Sequence, residues 1–270
     1  MANVIITGSS KGIGRGLAEE FVKRGHHVTI SARGQASIDE TVRELNDLGG
    51  GKANGKSCDV AKKDQVQALW DFGKAEFSSI DFWINNAGTA TAQYLTQDVP
   101  EDVVNTLVDS NLKGTIFGSQ VAITGFREQG SGALYNMLGG SFHGKQLTPK
   151  MNVYSSTKAA IFILTKYLID ENKDTGIMVG TISPGMLLSD NWFNEQKQMT
   201  AEQWQKMKPV LNILCDHVET AAPWLTDQVL QNEKYGHRIA WLSNGEIARR
   251  FFKAYVLRQK RDLFSRYELD

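Results

Sequence analysis

Tyr154 and Lys158 stand four residues apart, the spacing that brings two side chains onto one face of a helix. A phenol titrates near pH ~10, and a neighbouring ammonium favours its ionised form, so such a pair can exchange a proton at lower pH. Tyrosine and lysine at this spacing are also common on solvated helices. Whether this pair does chemistry depends on what the rest of the chain brings to it.

The composition narrows the field. The 270 residues, 41% apolar and 22% charged, fit a globular α/β chain of one large domain or two small ones. Thirty basic and thirty acidic residues cancel, so the overall charge gives no reason to expect a nucleic-acid partner. Cys58 and Cys215 lie far apart without a CxxC, and the five histidines form no HxxxH. Neither a disulfide framework nor a metal site is expected. There is no run of about 18 apolar residues and no leader pattern, so a cytoplasmic chain without a transmembrane segment is expected.

The elements that must position the pair come in order. Val4 to Thr7 reads as a β-branched strand, followed by Gly8-Ser9-Ser10-Lys11-Gly12-Ile13-Gly14 and a helical run from Leu17. Glycines permit close backbone approach, and a helix start offers free N–H groups to a pyrophosphate. The next strand, His27 to Ala32, ends in Arg33. A site for NAD usually carries a carboxylate there, whereas a 2′-phosphate needs cations. Arg33, with Lys11 in the glycine loop, favours NADP(H) over NAD(H); the alternative is that both cations are simply solvated.

Gly50 to Ser57 matches GxxxxGK[ST], but it follows a helix and runs into a strand, the reverse of a phosphate-binding P-loop. Asp59, with Val60 beside it, is placed to accept from an adenine amino group or to serve a turn or helix cap. Ile80 to Ile84 reads as a buried strand entering Asn85-Asn86-Ala87-Gly88, whose amides and backbone suit a ribose or adenine edge. A long helix is expected from Glu101 to about Phe126, with Asn111 in its middle, where an amide side chain can divert backbone hydrogen bonds. A fifth strand, Ala133 to Leu138, ends in Gly139-Gly140-Ser141, thirteen residues before Tyr154.

The glycine loop, Asn85-Asn86-Ala87-Gly88, Asn111, Ser141, Tyr154-xxx-Lys158 and Ser183-Pro184-Gly185 occur in the order and approximate spacing of the short-chain dehydrogenase/reductase family, which residues 1 to 190 resemble. The resemblance implies a Rossmann-type, doubly wound parallel α/β sheet of about seven strands with NAD(P) across its carboxyl ends. It implies Tyr154 as the acid that protonates a carbonyl oxygen and Ser141 as the group that orients it. Lys158 would hold the nicotinamide ribose and lower the tyrosine pKa, and Asn111 would support a relay water. Cofactor contacts implied are Gly8, Ser10, Lys11, Gly12, Ile13, Gly14, Arg33, Asp59, Val60, Asn85, Ala87, Gly88, Tyr154, Lys158, Pro184, Gly185 and Ser189. The family often has a serine pair where this chain has Gly139-Gly140-Ser141-Phe142, and the nearest other hydroxyls are Thr148 and Ser155.

Ile80 to Thr89, Ser183 to Asp190 and Asn212 to Ala221 resemble in particular the chlorophyll(ide) b reductases, which reduce the C7 formyl group of chlorophyll b with NADPH. One catalytic domain is expected over 1–245, with a substrate lid over about 186–231 and a basic helical extension over 246–270. Ser141, Phe142, Met186, Trp192 and Phe193 are the expected substrate contacts. The lid aromatics, which include Met199, Trp204 and Trp224 among their apolar neighbours, suit either a flat tetrapyrrole or core packing. The extension, with Arg249, Arg250, Lys253, Arg258, Lys260 and Arg261, suits an anionic membrane surface, pigment carboxylates or packing on the domain. The family resemblance implies a homodimer or homotetramer paired through the helices that begin near Glu101 and Met151.

Overall fold

Strands of three to seven residues alternate with helices of up to 21 from Asn3 onward, and in the computed structural model each strand–helix–strand unit brings its second strand parallel to the first. Residues 1–90, 94–145, 147–188 and 200–267 are described. Seven strands form one parallel sheet in the order β3-β2-β1-β4-β5-β6-β9: β1 Asn3–Ile6, β2 His27–Ala32, β3 Ala53–Ser57, β4 Phe82–Asn85, β5 Gly132–Met137, β6 Ile177–Ser183 and β9 Arg238–Ala240. The order reverses between β1 and β4, which opens a crevice at their carboxyl ends. Two short strands, β7 Met186–Leu188 and β8 Cys215–His217, pair parallel outside the main sheet.

One layer of helices comprises α1 Gly12–Lys23, α2 Gln35–Asp47 and α8 Val218–Leu230. Their Leu17, Phe21, Ile38, Ala221, Leu225 and Val229 share a core with Val4, Ile6, Val28 and Ile30. Gly16 lets α1 and α8 approach closely, since a methyl group there would lie 2.4 Å from Val218. On the other face α3 Lys63–Phe77, α5 Gly114–Gln129 and α6 Asn152–Asn172 enclose Ile5, Trp83, Leu134 and Val179. The GxxxxGK[ST] match lies where context placed it: Lys56 and Ser57 belong to the edge strand β3, paired with Ser31 and Ala32, not to a helix start.

The long helix expected from Glu101 is continuous but not uniform. The α4 helix Glu101–Leu107 passes through a π-helical turn, Val108–Lys113, into α5. Asn111 sits in that turn, a feature frequent at functional sites.

The segment expected as the lid, about 186–231, includes residues that pack in the main core. Its last third is α8, whose apolar face belongs to the main core, because Val218, Ala221, Ala222 and Leu225 repeat at helical spacing toward the sheet. Trp204, on α7 Ala201–Leu214, packs edge-on against Phe264 at 4.9 Å, and Trp224 meets Trp241 at 5.5 Å. For these two tryptophans packing is the role observed. The basic extension, which contains α9 Asn244–Tyr255, is joined to the same cluster: Leu188, Trp204, Leu211 and Cys215 bury Leu263 and Phe264.

Candidate active site

The turn after β1 is held by side chains rather than by its own backbone. Ser9 donates to the Ile6 carbonyl at 2.6 Å and accepts from the Ser31 amide at 3.1 Å, locking the loop to β2. Thr7 Oγ1 accepts from the amides of Asn86 and Ala87 at 3.1 and 3.0 Å. Asn86 Nδ2 donates back to the carbonyls of Thr7 and Gly8 at 2.8 and 3.0 Å. A methyl group at Gly8 would meet the Ala87 backbone at 2.7 Å, so this seam between the ends of β1 and β4 requires glycine.

A cleft of about 390 Å³ opens at this seam. Its floor is Gly8, Ser10, Lys11, Gly12, Ile13 and Gly14; Arg33, Asp59 and Val60 close one side, and Ala87, Gly88, Pro184 and Gly185 the other. Gly12 has φ +57°, and a side chain there would meet nothing within 4 Å, so the loop faces open space. Asp59 also fills the turn role, its Oδ1 accepting from the Ala61 amide at 3.1 Å. Lys11 and Arg33 line the cleft, and among the described residues neither has a carboxylate partner.

Asn85 is not part of this lining. It lies on the same strand face as Trp83, two residues before it, and is 4% exposed. It accepts from Trp83 Nε1 at 2.7 Å and donates to Asn136 Oδ1 at 2.8 Å. The cleft position belongs to Asn86, whose Oδ1 is buried without a hydrogen-bond partner among the described residues. The period-two alternation of β4 carries that distinction. Thr89, Thr106 and Ser110 also line the cleft without any signal in their spacing.

The Tyr154–Lys158 pair lies on α6, with the Lys158 ammonium 5.8 Å from the centre of the tyrosine ring. Lys158 is 5% exposed and donates to the Met137 carbonyl at 3.1 Å. Burial pulls its pKa down to about 8. Asn111 ties the helix to the cleft: its Oδ1 accepts from the Thr89 amide at 2.8 Å, and its Nδ2 donates to the Thr89 carbonyl at 3.0 Å and to Thr157 Oγ1 at 3.2 Å. Thr157 in turn donates to the Tyr154 carbonyl at 2.7 Å.

The residue at the end of β5 that faces the phenol is Gly139, where an added methyl group would lie 2.0 Å from the Tyr154 hydroxyl. Ser141 stands two residues on, at φ +62°. Its Oγ accepts from the Thr148 amide at 3.0 Å and lies 3.1 Å from Thr148 Oγ1. Phe142 is buried against Phe162 at 5.1 Å and under the Arg238 guanidinium. Met186, 41% exposed, pairs with Cys215 between β7 and β8. Ser189, Trp192, Phe193 and Met199 lie outside the described residues. Among the described residues no three of His, Cys, Asp or Glu gather as a metal-ligand set, and no helix is long and apolar enough to cross a membrane.

A parallel sheet in this strand order, with a glycine-floored crevice at its switch point and a tyrosine–lysine pair on α6 tied to the crevice residue Thr89 through Asn111 and Thr157, defines a dinucleotide-dependent oxidoreductase. The short chain dehydrogenase family model matches residues 2–200, and the chain belongs to that family. It is 30% identical over 272 residues to the probable chlorophyll(ide) b reductase NYC1 of Oryza sativa subsp. japonica, a match covering 95% of this chain and 53% of that protein. It is 32% identical over 233 residues to the chlorophyll(ide) b reductase NOL of the same plant, covering 84% of this chain and 66% of that one. The chain thus spans about half to two-thirds of these relatives' length. Among solved structures, a short-chain type dehydrogenase/reductase from Mycobacterium marinum superposes with a TM-score of 0.79 at 25% identity, over 88% of this chain and 93% of that one.

Proposed function

We propose that the protein is an NADPH-dependent carbonyl reductase whose substrate is the ring formyl group of chlorophyll b or chlorophyllide b. The observation that carries the substrate class is the reach of the similarity, which covers 95% of the chain and so extends beyond the catalytic motifs into the lid and tail. NADPH supplies a hydride when bound. The cleft suits it: an open glycine turn, a buried Asn86 acceptor without a partner among the described residues, and two lining cations, Lys11 in the glycine loop and Arg33 after β2, where a 2′-phosphate needs positive charge.

The side chains then divide the work. Tyr154 gives its proton to the substrate oxygen as negative charge develops there. Lys158, fixed by the Met137 carbonyl, holds the ribose and offsets the phenolate left behind. Asn111 keeps the α6 helix and the Thr89 rim in register. Ser141, with Thr148, supplies hydroxyls on the loop that leads from β5 toward Tyr154.

The test is pigment turnover. Incubation with NADPH and chlorophyll b or chlorophyllide b should shift the absorbance to that of the hydroxymethyl product. No shift, with brisk reduction of simple ketones, would replace the pigment by a small carbonyl substrate. A specific observation favours that second reading: the 29% match to glucose 1-dehydrogenase 2 of Bacillus subtilis (strain 168) spans 87% of that protein. The assembly is proposed to be a homodimer or homotetramer. The two buried, unpaired thiols of Cys58 and Cys215, both pushed up to about 12 by burial, fit a reducing cytoplasm.

A further inference from the structure

The end of α9 leaves apolar side chains uncovered. Phe252, Tyr255, Val256 and Leu257 are 54%, 68%, 61% and 51% exposed. Phe252, Tyr255 and Val256 recur at the spacing that shares one helix face, and none of the helix residues is fully buried. Cations interleave with them. Lys253, Arg258 and Lys260 have no ion-pair partner among the described residues, and no acid occurs between Glu246 and Asp262.

Beside this patch a groove of about 650 Å³ runs between α7 and α9, with Tyr255 and Lys253 on the border between the two. Lys208, Arg249 and Lys260 also line it. Its carboxylate, Glu246, is engaged by Arg249 and Arg250 at 2.6 and 2.8 Å. The cations that turn inward are accounted for separately: Arg250 and Arg261 converge on Asp216. The charge left facing outward is positive.

We propose that this face docks on an anionic lipid surface, with headgroups entering the groove and the four apolar side chains entering the boundary below them. Charge complementarity selects this occupant. A second copy meeting the face across a two-fold axis would set Lys253, Arg258 and Lys260 against their own counterparts, whereas anionic headgroups neutralise all three. The inference is independent of the reductase reading, because membrane binding requires no turnover.

Vesicle flotation of the full chain tests it. The protein should float with vesicles containing equal parts phosphatidylglycerol and phosphatidylcholine, stay behind with phosphatidylcholine alone, and detach as salt is raised. Lys253→Gln should weaken partitioning about fivefold, as should Lys260→Gln, and Phe252→Ser with Tyr255→Ser should abolish it with an unchanged melting temperature. Inorganic phosphate at headgroup concentration should not compete. Failure of the wild type to float would overturn the proposal. So would strong competition by phosphate with no effect of the Phe252 and Tyr255 changes, which would mark a small-anion site. A drop in particle mass caused by those two changes, without flotation of the wild type, would assign the face to a second copy.

Discussion

At the scale of single residues, the pair and its immediate neighbours make separable predictions. Tyr154→Phe removes only the transferable proton, so NADPH binding should persist while kcat falls by about 10²–10⁴; fluorescence titration beside steady-state turnover checks both. Gly139→Ala places a methyl group where the phenol oxygen stands, 2.0 Å away. A reacting group moved by about 1 Å can lose roughly 100-fold, so kcat should fall by that order with cofactor affinity unchanged. Arg33→Glu exchanges a cation in the cleft for a carboxylate. It should lower kcat/KM for NADPH by about 10- to 100-fold, the loss of one charge-assisted contact, and raise it for NADH. Lys158 makes a prediction about stability. Its amine titrates at about 8 when folded, against 10.5 for a free lysine. Between those values the unfolded chain binds a proton at this group that the native state does not, so the contribution of Lys158 to stability should rise with pH through that window. Denaturant unfolding at the two ends of the window, taken as the difference between wild type and Lys158→Met, should show the gain, because the raised thiols of Cys58 and Cys215 lower the stability of both proteins alike above pH about 9.

At the scale of elements, one carboxylate joins the tail to the fold. Asp216 on β8 is buried and pairs with Arg250 of α9, with Arg261, and with Trp241 Nε1 at 2.7 Å. Asp216→Asn would take the buried carboxylate from Arg250, whose side chain is 10% exposed, and leave it Glu246 alone as countercharge. Breaking a buried pair in this way costs about 3–5 kcal/mol, measurable as a lowered denaturation midpoint. The same elements divide what is readable in the sequence from what is not. Strand periodicity, glycine turns and the parallel strand–helix–strand rule predict the sheet, because each is a local or pairwise constraint. The cleft floor follows from residue types at the strand ends. Asn85 and Asn86 are harder to separate: their motif names both, and the strand alternation that divides them is fixed to the core side by the Trp83 hydrogen bond. The buried acid that opposes the basic extension is invisible to local reading, since Asp216 lies 34 residues before Arg250. Trp204 reads equally well as lid or core until Phe264 is seen against it. Gly139 gives no sign of its contact, which depends on how α6 crosses the end of β5.

At the scale of the whole molecule, two exposed apolar faces call for different partners. The second lies on α6, where Ile163 and Tyr167 are 51% and 65% exposed and one helical turn apart. This is one of the two helices through which family resemblance implies subunit pairing. Unlike the α9 patch, it is not ringed by unpaired cations in its own sequence: Lys166 lies over the Phe162 ring, 4.7 Å from its centre, and Asp170 is a turn away and pairs with Lys173. Self-association here therefore sets no block of like charge against itself. Burying a large apolar side chain contributes roughly 1.5–3 kcal/mol, and a two-fold contact would bury each of these twice. Light scattering should find the wild type at a multiple of 30.0 kDa and Ile163→Lys with Tyr167→Glu at the mass of one chain. Phe252→Ser should leave the mass unchanged, because its face meets lipid and not another subunit. A monomeric wild type would remove the α6 contact, and a mass change on altering Phe252 alone would move the subunit interface to the tail.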